Sequence, residues 1–123
     1  MTPLYIAAAN GHAAVTKQLI VARCNVDFQK ANGFTALHNA AWHGHVDVTE
    51  QLIAARCNVD LQDKLGGTPL HYAAAKGHAG VTQQLLASSC NVDIKAKSGL
   101  TALQLAESKA IAKLIRNKKL NRC

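Results

Sequence analysis

Six histidines and four cysteines are the residues of this chain with reactive chemistry within reach. Imidazoles can act as general bases or metal ligands, and thiolates as nucleophiles, metal ligands or disulfide partners. Their spacing points away from all of these. Cys24, Cys57 and Cys90 lie 33 residues apart, unlike the short-range pairs of a structural zinc site. His12, His45 and His78 keep the same interval, each directly after a glycine, and His38 and His71 repeat it again. His43 alone is out of phase, which makes it a candidate for surface contact. No serine or cysteine is paired with a base in a nucleophile pattern, and no GxxxxGK[ST] loop or HExxH helix occurs. The expectation is a chain that is not an enzyme, with no cofactor and no metal.

The shared interval leads from the reactive residues to the elements that carry them. Thr2, Thr35, Thr68 and Thr101 are also 33 apart. The segments TPLYIAAANGH, TALHNAAWHGH and TPLHYAAAKGH align without a gap, as do VTKQLIVARCNVD, VTEQLIAARCNVD and VTQQLLASSCNVD. The best-formed unit runs from Thr68 to Gly99. Thr68 is placed to cap a helix with Pro69 at its first position, and Leu70, Ala73 and Ala74 form one apolar stripe. Gly77 breaks that helix, and Val81, Leu85 and Leu86 form a second stripe. The polar tail CNVDIKAKSG reads as a loop. Two short helices cannot bury both faces alone, so a repeat of this length predicts a stacked array.

On these residues the chain resembles the ankyrin-repeat family, whose unit carries a TPLHxAA helix, a GH turn, a second leucine-rich helix and a β-hairpin loop. The resemblance covers nearly the whole chain. It implies an all-α solenoid of stacked helix-turn-helix units with β-hairpin loops, as one domain over residues 1–123. The repeats fall at about 2–34, 35–67 and 68–100, with a C-terminal capping repeat at 101–123. His38 and His71, three residues after Thr35 and Thr68, correspond to the structural histidine of the family motif. Three departures stand out. Arg23, Arg56 and Ser89 occupy the place where the family ends its second helix on a left-handed glycine, and Asn25, Asn58 and Asn91 are alternative holders of that conformation. Thr16, Thr49 and Thr82 replace aliphatic residues. The last unit lacks the GH turn, and Ala110, Ile111 and Leu114 are expected to form its inner stripe.

The period also weighs against disulfides. Residues in one phase sit in successive layers, where packed helices are about 8–10 Å apart, whereas a disulfide needs Cα atoms within about 7 Å. Small buried thiols in a reducing compartment are expected instead, and Cys123 is out of structural register. Hydrophobic residues make up 49% of the 123, enough for a continuous core, but aromatics only 4%, so Ala, Leu, Ile and Val must do the packing. No apolar run approaches the roughly 20 residues of a membrane span, and the first residues do not resemble a secretory signal. The reading is an intracellular protein, cytoplasmic or nuclear, monomeric and without membrane insertion. The chain opens on a helix with little polar outer face, which reads as a trimmed or artificial start preceded by further repeats in the parent protein.

The net charge of +7 arises entirely from Lys95 onward, where eight basic residues oppose Glu107 alone. A basic cap favours solubility and complements helix C-termini. It also leaves open a contact with nucleic acid or an acidic partner.

What remains for function is a surface. In the ankyrin architecture the first helices and hairpin tips line a concave groove where partner proteins bind. Helical spacing places Asn10, Asn39, Trp42, His43, Tyr72 and Lys76 on the exposed face of the first helices. The tips contribute Asn32, Phe34, Lys64, Leu65, Lys97 and Leu100. Trp42 stands where sister units have Ala9 and Ala75. It is the expected interface anchor, and its removal is expected to leave stability nearly unchanged. A protein-binding scaffold is the leading reading. The alternatives are a substrate-recruiting or regulatory segment of a larger enzyme or channel, nucleic-acid binding through the cap, and a designed array.

Overall fold

A computed structural model describes residues 3–22, 25–88, 90–106 and 108–120, with the side chains of 119 and 120 excepted. Arg23, Cys24, Ser89 and Cys123 therefore lie outside the described residues, as does the capping residue Thr2. Four pairs of helices follow in chain order. They are α1 (Pro3–Ala9) with α2 (Ala13–Val21), α3 (Ala36–His43) with α4 (Val46–Ala54), α5 (Pro69–Lys76) with α6 (Ala79–Ala87), and α7 (Ala102–Leu105) with α8 (Lys109–Leu120). The odd-numbered helices pack on one another as one layer and the even-numbered helices as a second.

Alanine makes the first layer possible. Ala7, Ala8, Ala40, Ala41, Ala73 and Ala74 are all buried, and so small a side chain lets short helices approach closely. Leu37, Leu52, Val48, Leu85 and Val81 fill the space between the layers. Thr16, Thr49 and Thr82 are equally inaccessible. Each hydroxyl donates to the carbonyl four residues back, at 2.9, 2.8 and 2.8 Å. That bond removes the penalty for burying a hydroxyl where an aliphatic side chain was expected.

Local chemistry sets the helix ends. Thr35 and Thr68 each cap a helix by accepting from the backbone N–H three residues on, while that residue's imidazole accepts the threonine's own N–H. Thr101 and Gln104 form the same reciprocal cap in the last unit. Because Nδ1 of His38 accepts from Thr35 N–H, its proton is on Nε2, which donates to Gly67 O at 3.0 Å. His71 reaches Leu100 O in the same way. The GH turns join the layers at another level. Nε2 of His45 donates to Ala9 O, and that of His78 to Trp42 O, both at 2.9 Å. Gly44 sits at φ 75, and a Cβ there would lie 2.5 Å from the ring of His78, so the glycine and the following unit's histidine occupy one shape. These four phased histidines fasten repeats together.

The loops form tight turns, and among the described residues no β-strand is formed. Lys30, Asp63 and Ala96 each donate to the carbonyl four residues on. Successive tips are tied by Lys64 N–H to Asn32 O (3.0 Å) and Lys97 N–H to Leu65 O (2.9 Å). Gly33, Gly66 and Gly99 donate back to Lys30, Asp63 and Ala96, which closes each turn without extending it into a ladder.

One expectation of the loops holds and two details correct the sequence reading. Arg56 holds the left-handed position at φ 62 and is the one non-glycine with positive φ among the described residues. Asn58 and Asn91 do not take that role. Their side chains accept the N–H two residues on, an Asx turn that requires no left-handed backbone. In the last unit Ala110 is exposed, and Ile111 and Ile115 are the buried pair, because the four-residue α7 shifts the phase at which α8 meets the core. Cys57 and Cys90 are buried free thiols, and burial pushes them up to about 12 and about 11. No helix among the described residues is long and apolar enough to cross a membrane.

Candidate functional site

The first helices and the loop tips meet around Trp42. Its indole ring lies 5.4 Å from the ring of Tyr72 and 6.2 Å from that of Phe34, and Phe34 and Tyr72 are 5.1 Å apart. Phe34 also stacks on His38 at 5.0 Å. Lys76 places its ammonium 4.1 Å from the centre of the Trp42 ring. This aromatic group joins the tip before α3, the end of α3 and the middle of α5, so it spans two units. Trp42 is nonetheless 38% exposed. The contacts replace the expectation that the residue is dispensable for stability: alanine at positions 9 and 75 has no such ring neighbours.

Beside Trp42 opens a depression of about 450 Å³, lined by Leu65, Tyr72, Lys76, Lys97 and Leu105 among others. That volume is within the range of roughly 300–1,000 Å³ in which proteins hold ligands. Asp63 is buried and bonded to Tyr72 of the lining. One carboxylate oxygen accepts from Leu65 N–H (3.0 Å) and Gly67 N–H (2.8 Å), and the other accepts the Tyr72 hydroxyl. Burial, the bond to Asp63 and its charge hold the Tyr72 phenol well above its ordinary value. Gly67 is required here, since a Cβ would lie 2.9 Å from the Tyr72 ring. Burial likewise holds His38 below the usual imidazole value, opposed chiefly by its bond to Gly67.

Of the twelve residues expected at the surface, Phe34, Trp42 and Tyr72 are in mutual contact, Lys76 lies over the Trp42 ring, and Leu65 and Lys97 share the depression with Trp42, Tyr72 and Lys76. Leu65 is 70% exposed. Lys64, Asn32 and Leu100 sit on exposed tips, with Asn32 bracing its own loop by accepting Phe34 N–H. Asn10 ends α1, away from this group, and His43 is exposed and stacks on His45 at 5.8 Å. Asn39 is a correction: it is 6% exposed, because α3 is flanked by α1 and α5 and backed by α4. Asp63 was missed. Its sister positions are Lys30 and Ala96, so the repeat pattern hides it, but an aspartate opening a loop with Gly66 and Gly67 is a recognisable turn signal. Leu105 was missed as well, since its position follows from the shortened α7.

Among the described residues no group of three potential metal ligands forms. No curated protein matches the chain. A family model described as ankyrin repeats (3 copies) matches residues 1–63 and again 49–122. With that match over nearly its whole length, and its helix pairs stacked in two layers, the chain belongs to the ankyrin-repeat family, whose repeats are generally protein–protein interaction modules.

Proposed function

We propose that this chain is a recognition module that binds a partner protein on the face formed by its first helices and loop tips, with Trp42 as the anchor. The observation that supports this reading is the exposure of Trp42 within a fixed group of aromatic rings, beside an open depression. Aromatic residues held rigid before binding lose little entropy on association, which is why they dominate interface energetics. The even-numbered helices cover the opposite side, and the basic residues Lys109, Lys113 and Arg116 lie on α8.

The test is a pull-down from cell extract with wild type, Trp42→Ala, and a variant with Lys109, Lys113 and Arg116 neutralised, followed by affinity measurement on the recovered partner. Trp42→Ala should weaken binding by more than roughly 2 kcal/mol, and the α8 variant should change mainly the association rate and its salt response. The reverse ranking would move the binding surface to the cap.

A further inference from the structure

We infer that the segment recognised beside Trp42 is an acidic peptide: an apolar side chain flanked by carboxylates. This rests on the reading that the groove is the binding face. The depression offers an apolar wall of Trp42, Leu65 and Leu105. Two ammonium groups, Lys76 and Lys97, line it from opposite elements, one on α5 and one on the next loop tip. Lys64 stands exposed on the intervening tip.

No carboxylate offsets them at the lining. Asp63, the nearest, is buried and already accepts two backbone N–H groups and the Tyr72 hydroxyl. Four other described acids serve elsewhere. Asp27 and Asp60 accept the N–H of Asn58 and Asn91, and Asp47 and Glu50 are exposed on α4 in the second layer. The depression is thus lined by lysines and by no acid, although the first 94 residues are balanced overall. The contact of Lys76 with the Trp42 ring holds its ammonium at the rim, where a carboxylate can reach it without first ordering a long flexible side chain. Lysine ammonium groups bind carboxylates, and a partner with cations here would meet repulsion from two sides.

The experiment uses the full chain and the fluorescence of Trp42, its single tryptophan. Three short synthetic peptides carry the same central leucine flanked by Glu, Gln or Lys. The Glu peptide should bind roughly three- to tenfold more tightly than the Gln peptide at low salt, as two rim ion pairs provide, and the advantage should shrink as salt is added. The Lys peptide should bind least. Lys76→Gln with Lys97→Gln should remove the preference, so that the Glu and Gln peptides bind alike, and the corresponding double Arg variant should restore it. Equal affinity for the Glu and Gln peptides, each read by Trp42, overturns the acidic preference and leaves the groove reading standing. A single-stranded oligonucleotide that perturbs Trp42 as strongly as the Glu peptide also overturns it, in favour of a general polyanion site. No response of Trp42 to any peptide overturns the groove reading itself.

Discussion

Replacing Arg56 by glycine should stabilise the protein. Helix α4 ends in a turn in which Arg56 N–H donates to Ile53 O (2.9 Å) and Cys57 N–H to Leu52 O (3.2 Å). This is the Schellman arrangement, which places its left-handed residue where Arg56 stands at φ 62. A side chain in that conformation costs roughly 1–2 kcal/mol, because Cβ crowds the following carbonyl. The exposed arginine has no hydrogen bond or ion pair among the described residues that would be lost with it. Glycine gives back part of the gain, since its unfolded chain is more flexible by about 0.4–1 kcal/mol. The net should be about 0.5–1 kcal/mol, or roughly 2–5 °C in Tm for a chain of this size. Urea unfolding followed by far-UV circular dichroism measures it, provided the slope with denaturant is unchanged. Arg56→Ala is the control, for alanine keeps the Cβ and should gain nothing. If the glycine variant is no more stable than wild type, or the alanine variant equals it, the reasoning from backbone strain fails.

Trp42→Ala should lower stability by about 1–2 kcal/mol through loss of its contacts with Phe34 and Tyr72, measured by urea unfolding alongside the affinity loss proposed above. Gly67→Ala should destabilise by more than about 1 kcal/mol, because the new methyl group displaces the Tyr72 ring from Asp63, and near-ultraviolet circular dichroism should report the altered tyrosine. Acid should weaken the fold through His38, whose buried ring stays neutral while the unfolded chain takes up protons near its ordinary value of 6.5. That contribution is complete above pH 6.5 and is lost as pH falls below it. Replacing His38 by Gln, the residue that closes the same cap at Gln104, should flatten the acid limb of stability against pH while lowering stability at neutrality.

The architecture was legible because the information for it is periodic. A threonine every 33 residues and a histidine three positions later specify both a helix cap and a bridge to the next loop. What a single-helix pattern could not show is how narrow the free face is. Spacing placed Asn39 beside Trp42, but α3 is enclosed on three sides, so only its last residues emerge. In the cap, Ile111 is buried and Leu114 packs against the core as the spacing predicts, but Ile115, not Ala110, completes the stripe. Phe34, Tyr72 and Lys76 were each selected singly. Their convergence on Trp42 depends on contacts between a loop and two helices, which no local pattern encodes. Asp63 escaped because repeat comparison favours what recurs, and its role occurs once.

The bonds between units have a consequence for how the surface can change. Apart from the bond of the Tyr72 hydroxyl to Asp63, which spans adjacent units at their boundary, the described hydrogen bonds that cross from one unit to another join residues 29 to 38 positions apart. Among the described residues no such bond leaps over a neighbour, so each layer communicates only with the one before and the one after. Folding can therefore start in any adjacent pair and spread in either direction, without a long loop to close first. Damage is confined in the same way. A disruptive change at Gly44 loosens the junctions on both sides of its unit, and no described bond carries it further. Surfaces two or more units apart are thus free to drift toward new partners independently of one another.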